Sequence, residues 1–327
     1  MDKKGLIHPS SSVVVTRMSI NSILITGSSG AVGTALIKEL TDDYEIYAVD
    51  ICENPWISIE NEITADLTVK GELQNLPSDV DLIIHLAAHA RVFKLIEQPD
   101  LARENLDMLF NLLEFSREND ISKFIFASSR EIYGDGNKLI TTENEAPIDS
   151  CENPYAASKI SGEYLVRSYE NCYGIDSLVL RFSNIYGKYD VSDRVIPLFI
   201  SQAYHGDDLT IFGENKVLDF VYIDDCIQGI ERSIQQFSKV KGESINIASG
   251  EGKSIEELAK LIISNVGSNA KVNIEVNRQG EVERFIADIS KAQKVIQYRP
   301  NYSFEDGISA AIDWYLERTK ILDEIYY

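Results

Sequence analysis

The sequence predicts an α/β chain built on a doubly wound parallel sheet, with a smaller, interleaved C-terminal lobe. Two observations carry that expectation. From Ile20 onward, short continuous apolar runs alternate with segments of helical period, the pattern of strands covered on both faces by helices. A Gly-rich turn also separates the first apolar run from the first helical segment. After Arg181 the rhythm loosens and short runs mix with helices, as in a lobe that returns to the main sheet.

Ile23-Leu24-Ile25 reads as the first buried strand, and Ala31 to Leu40 as the helix after it. Glu45 to Asp50 and Asp81 to Leu86 are the next strands, and a helix is expected from about Asp100 to Asn119. Lys123 to Ser128 is a strand, Tyr155 to Tyr173 a helix and Ser177 to Arg181 a strand. Beyond these, Leu209-Thr210-Ile211 and Lys271 to Val276 are short strands. Helices are expected at about Ile223 to Phe237, Ser254 to Asn265 and Phe304 to Arg318. The expected division is a polar extension over 1–17, a nucleotide-binding part over 18–187 with returns near 217–249, and a remainder over 188–327 that is mainly the second lobe.

Acidic residues number 52 against 31 basic ones, for a net charge of −21, with 44% apolar and 25% charged residues. That balance excludes disorder and collagen-like repeats. A chain so acidic repels phosphate backbones and anionic lipid, so neither nucleic acid nor a membrane is an expected partner. Cys52, Cys151, Cys172 and Cys226 have no CxxC spacing, which argues against a disulfide framework or a zinc site. No apolar run reaches the roughly 20 residues of a membrane helix, and the first 17 residues lack a secretory core. A soluble, cytoplasmic protein is expected.

Gly27-Ser28-Ser29-Gly30-Ala31-Val32-Gly33 joins the first strand to the first helix. Glycines there permit a tight turn, close approach of the backbone to a pyrophosphate, and close helix–strand packing. The helix N-terminus then faces the phosphates. Asp50 ends the second strand, where a carboxylate can accept the hydroxyls of an adenosine ribose. The following Ile51-Cys52-Glu53-Asn54 offers no cation for a 2′-phosphate, so NAD is expected rather than NADP. Asp66-Leu67 is placed near the adenine edge, and the small Ala87 and Ala88 leave room for the cofactor. His85 and His89 have the i, i+4 spacing of a metal pair, but they lie where a strand runs into a loop. Nothing at a motif spacing completes a ligand set, so no metal is expected.

Tyr155-Ala156-Ala157-Ser158-Lys159 puts a tyrosine and a lysine on one helix face. Lys159 there can lower the phenol pKa and make Tyr155 a base near neutral pH. Ser128-Ser129 ends a strand upstream. Together with GSSGAVG (27–33), HLAA (85–88), SSREIYG (128–134), NPYAASK (153–159), LRFSNIYG (180–187), KVLDFVYIDD (216–225) and RQGEVERFIADISKA (278–292), the chain resembles the extended short-chain dehydrogenase/reductase family. Within it, the likeness is to the NAD-dependent nucleotide-sugar epimerase/dehydratase branch, UDP-sugar 4-epimerases in particular, and it runs from Met18 to the C-terminal helix.

The resemblance implies a Rossmann sheet holding NAD through Gly27, Gly30, Ala31, Val32, Gly33, Asp50, Ile51, Asp66, Leu67, Leu86, Ala87, Ala88, Asn105 and Ser128. It implies that Ser129 and Tyr155 bind the reacting sugar hydroxyl, with Tyr155 as acid/base and Lys159 also on the nicotinamide ribose. Asn184 and Arg278 fall where relatives hold the substrate's diphosphate, with Arg284 as a helper. A nucleotide-diphosphate sugar is the implied substrate and a homodimer the implied assembly, paired through the helices near 100–119 and 154–173.

Outcomes divide after Ser129. Dehydratases and decarboxylases of the branch typically carry an acid in the following pair. Here Glu131 keeps those reactions open, but Arg130 cannot donate a proton at neutral pH. Epimerisation at C4 is therefore favoured over dehydration or decarboxylation. A non-catalytic cofactor sensor is disfavoured because Tyr155 and Lys159 are both present, and an NADPH-using reductase because of Asp50. Leu218 stands where many UDP-sugar epimerases have an arginine. Arg130, beside Ser129, is placed to face the sugar's C6 region and pair with a uronate carboxylate.

Overall fold

Strands buried along nearly their whole length on both faces build the molecule as two layers of helix around one sheet. A computed structural model describes residues 20–135, 140–145, 151–278, 280 and 282–326, so the expected extension over 1–17 lies outside the described residues. The first part runs β1 (Ser22–Thr26), α1 (Ala31–Leu40), β2 (Glu45–Asp50), β3 (Glu62–Thr64), β4 (Leu82–His85), α2 (Val92–Glu97), α3 (Asp100–Glu118), β5 (Lys123–Ser129), α4 (Pro154–Tyr173) and β6 (Asp176–Phe182). There follow β7 (Asn184–Tyr186), α5 (Val195–His205), β8 (Leu209–Phe212), β9 (Val217–Tyr222), α6 (Ile223–Gln235), α7 (Phe237–Val240), β10 (Ser244–Ile247) and β11 (Gly252–Ser254). The chain ends with α8 (Ile255–Val266), β12 (Val272–Glu275), β13 (Arg284–Phe285), α9 (Ser290–Val295), α10 (Phe304–Leu316) and α11 (Thr319–Tyr326).

The main sheet has the order β10-β6-β5-β4-β1-β2-β3, and every neighbouring pair is parallel. This is the predicted α/β doubly wound, Rossmann-like sheet. Ile23 and Ile25 of β1 join a core with α1 and α6, while Leu24 between them packs with α3 and α4 on the other face. The strand order reverses between β1 and β4, which opens a ligand crevice at their carboxyl ends.

The stretch 217–249 was expected to return to the main sheet, and only β10 does so, on the edge beside β6. β9 instead pairs with β7, β11 and β13 in a separate sheet, because β7 leaves the end of β6 and carries the chain away from that edge. β8 and β12 form a two-stranded sheet of their own. Among the described residues, no helix is long and apolar enough to cross a membrane.

Candidate active site

Gly27 closes the turn after β1 with φ +73°, in the left-handed region where a side chain is strained. A Cβ on Gly33 would lie 2.1 Å from the Gly27 carbonyl oxygen, so only glycine lets α1 pack this close to the strand end. Gly30 caps α1 without a side chain, whereas Asn153, Ser254 and Ser303 cap α4, α8 and α10 with theirs. The first N–H groups of α1, around Ala31 and Val32, are thus left for an anion. Beside them, the Asp50 carboxylate accepts the Ser29 N–H at 2.9 Å and the Ile51 N–H at 2.7 Å. Ile51 itself is exposed. Asn54 ties its loop to the turn through the Ser28 carbonyl and the Thr34 hydroxyl, both at 2.9 Å. An uncapped helix start, a glycine cradle and a carboxylate with no neighbouring cation in its loop fit a dinucleotide without a 2′-phosphate.

The remaining residues expected on the cofactor divide into lining and framing groups. Val32, Leu86, Ala88 and Ser128 line the main cavity, and the Ala87 backbone packs against Gly27. Asp66 accepts the Thr68 N–H and hydroxyl, and the Leu67 carbonyl accepts the Asn111 amide, so both shape the turn after β3. Asn105 is buried and clips the His89 backbone at both its N–H and its carbonyl while reaching Ser158, so its amide positions the loop. The Ser128 hydroxyl donates to Glu163 at 2.5 Å, and Glu163 also pairs with Arg181. His85 is enclosed against Thr26, where burial and the Lys159 charge push its pKa down to about 3. His89 lies on Glu104, and no group of three metal-ligating side chains occurs among the described residues.

At the carboxyl end of β5, Ser129 meets Tyr155 from the first turn of α4, hydroxyl to hydroxyl. Lys159 follows one turn later, enclosed, its ammonium 5.7 Å from the Tyr155 ring centre and donating to the Ala127 carbonyl at 2.8 Å. Burial lowers the Lys159 pKa to about 8. Burial raises the Tyr155 pKa, and the offsets come from the Ser129 hydrogen bond and the charges of Arg194 and Arg130.

A turn of 3₁₀ helix over Arg130–Tyr133 follows Ser129, whose hydroxyl caps the Glu131 N–H. Glu131 is buried, and both its oxygens are engaged: one by Arg130 at 2.8 Å, the other by the Asn153 amide at 3.0 Å. Arg130 Nε donates to Asn184 Oδ1 at 3.1 Å, and the Asn184 amide donates to the Asp219 carbonyl at 2.8 Å. Asn184, expected on the diphosphate, is therefore engaged at both ends by the protein.

These groups face a cavity of about 410 Å³. Arg278 lines it with its guanidinium 3.7 Å from the Phe212 ring centre and 5.4 Å from that of Phe93. Leu218 contributes an apolar wall. Arg284 lies on β13 opposite Val217 and is not part of the lining. Sequence reasoning missed Arg91, Arg194 and Lys216, all of which line the cavity. Arg91 pairs with Asp193, and Arg194 reaches the Ala90 carbonyl, so two loops about a hundred residues apart meet across the opening. No local pattern marks such a meeting; only Lys216 fell within a segment that carried the family likeness.

The model of the NAD dependent epimerase/dehydratase family matches residues 23–248. A putative UDP-glucose 4-epimerase of Methanocaldococcus jannaschii is 32% identical, covering 89% of this chain and 97% of its own length. The UDP-glucose 4-epimerase of Thermotoga maritima, solved with UDP-glucose, superposes with a TM-score of 0.82 at 27% identity, covering 91% of this chain and 99% of that one. The dTDP-glucose 4,6-dehydratase of Streptomyces venezuelae, solved with NAD, superposes with a TM-score of 0.86 at 25% identity, covering 93% and 99%. Epimerases and dehydratases are thus comparably similar to this chain, and their cofactor is NAD.

Proposed function

Since this chain belongs to the NAD dependent epimerase/dehydratase family, we propose that it is a nucleotide-sugar 4-epimerase acting by transient oxidation at sugar C4. One observation carries the choice within the family: Glu131, the acid a dehydratase or decarboxylase would use, is tied up by Arg130 and Asn153. Elimination of water needs an acid with a proton to give and freedom to reach the leaving group. A Glu131 side chain held by Arg130 on one oxygen and by Asn153 on the other lacks that freedom.

Tyr155 takes the proton of the C4 hydroxyl, with Ser129 holding that hydroxyl in line, and later returns it. Lys159 and the turn at Gly27–Gly33, with Asp50, would hold NAD, which would supply hydride acceptance and return at C4. Arg278 and Lys216 offer charge to the diphosphate. The apolar Ile185, Leu218 and Phe220 in the lining make no directional contact that would fix the sugar ring in one orientation, which suits a ring that must present both faces.

The test is incubation with UDP-glucose, UDP-glucuronate, UDP-GlcNAc and dTDP-glucose, with products read by NMR. A C4 epimer is expected. A 4-keto-6-deoxy sugar or released carbon dioxide would replace this reading with the dehydratase or decarboxylase one. Tyr155→Phe is expected to lower turnover by about 10²–10⁴-fold while the purified protein keeps its NAD. A variant near full activity would remove Tyr155 from the chemistry.

A further inference from the structure

Arg130 has three nitrogens, of which two have hydrogen-bond or ion-pair partners, and its guanidinium lies 5.9 Å from the Phe285 ring centre. Nη2 pairs with Glu131 and Nε donates to Asn184, while Nη1 is buried in the cavity wall with no hydrogen-bond partner among the described residues. A buried guanidinium nitrogen without an acceptor is costly. The partners that hold it in place, Glu131 and Asn184, are themselves anchored by Asn153 and by the Asp219 carbonyl. The group is therefore a fixed, incomplete donor array rather than a mobile surface arginine.

Its place defines what would complete it. Arg130 directly follows Ser129 in the chain, and both line the same cavity as Tyr155. A group that completed the array from the cavity side would therefore sit on the same bound molecule as the hydroxyl held by Ser129 and Tyr155. On a hexopyranose bound by its C4 hydroxyl, the substituent one carbon away that carries a negative charge is a carboxylate at C6. We infer that Arg130 is a specificity residue that selects nucleotide-linked uronic acids over neutral hexoses by binding the C6 carboxylate. This rests on the 4-epimerase reading above and names its substrate class. A charge-assisted hydrogen bond to a carboxylate is among the stronger contacts a protein makes. A site built around such a group discriminates strongly against analogues that lack it.

The test measures kcat/KM for UDP-glucuronate against UDP-glucose, and for the corresponding dTDP sugars, in the NAD-loaded enzyme and in Arg130→Met. A uronate preference of about tenfold or more is expected, falling by about 10–100-fold in Arg130→Met and partly restored in Arg130→Lys. Calorimetry in a Tyr155→Phe background, with and without Arg130→Met, should give the same ordering of affinities and decides the matter if turnover is slow. Glu131→Gln tests the scaffold alternative: the uronate preference should persist or grow when Nη2 is released, and its collapse would show that Arg130 serves only to hold Glu131. Equal losses on uronate and hexose would assign Arg130 to the diphosphate and overturn the inference. A C4 epimer formed from hexoses alone would sink the inference and spare the epimerase reading. A uronate preference with carbon dioxide as product would do the reverse.

Discussion

Lys159 is a cation enclosed by protein with one carbonyl partner, and burial brings its pKa to about 8 from 10.5. The sign follows from proton counts. Between about 8 and 10.5 the unfolded chain binds the proton and the folded one does not, so stability rises with pH across that window. Below it both states are charged, and the folded state bears the full cost of about 3 kcal/mol. Lys159→Met should therefore raise the stability of the cofactor-free chain at pH 7 by about 1–2 kcal/mol, after the lost hydrogen bond is discounted, while turnover falls by about 100-fold or more. Urea unfolding and an activity assay check both parts, and a less stable variant would contradict the account. Tyr155 and Lys159 were legible in the sequence because four-residue spacing on a helix is a local property. Arg91 and Arg194 were not, because their shared position depends on two distant loops docking on each other.

The same contrast between local and distant partners runs through the elements. Apart from β3 and α2, the strands and helices up to β6 matched their expected spans within one or two residues, since each buried strand is a continuous apolar run and each helix has its own period. The two-residue β13 and the three-residue β7 and β11 went unseen, because segments so short carry no period and form only by pairing with β9. Strands β3, β9 and β10 and helices α2, α5, α7, α9 and α11 were missed as well. The best-determined junction is β1–α1, where Gly33 touches the Gly27 backbone. Gly33→Ala should push the two segments apart, cost about 1–3 kcal/mol and weaken NAD binding at least tenfold. Calorimetric titration and thermal melting read both effects. Gly71→Ala is the control, since a Cβ there meets nothing within 4 Å, and it should leave NAD affinity unchanged.

Across the whole molecule, a net charge of −21 is reconciled with anion binding by local concentration. Six cations against three carboxylates line the cavity among the described residues. One further carboxylate knits the two parts of the fold. Asp219 on β9 is fully buried and accepts the Ser249 N–H and hydroxyl, the Gly250 N–H and the Ala287 N–H. Ser249 and Gly250 follow the last strand of the main sheet and Ala287 follows β13, so this carboxylate joins the main sheet to the small one. Burial outweighs these donors and raises the Asp219 pKa to about 6 from 3.8. Between those values the folded chain binds a proton that the unfolded chain has lost. The stabilisation from that proton is therefore complete below about 3.8 and disappears as pH rises through about 6. Its size is about 3 kcal/mol. Many other carboxylates titrate in the same range, so the wild-type curve alone cannot isolate it. The difference from Asp219→Asn can, because the variant has no proton to gain. From pH 7.5 to pH 4, the unfolding free energy of the wild type should rise by up to about 3 kcal/mol relative to the variant. A difference independent of pH would mean that Asp219 does not take up a proton in that window, and that its four donors hold the charge more strongly than burial opposes it.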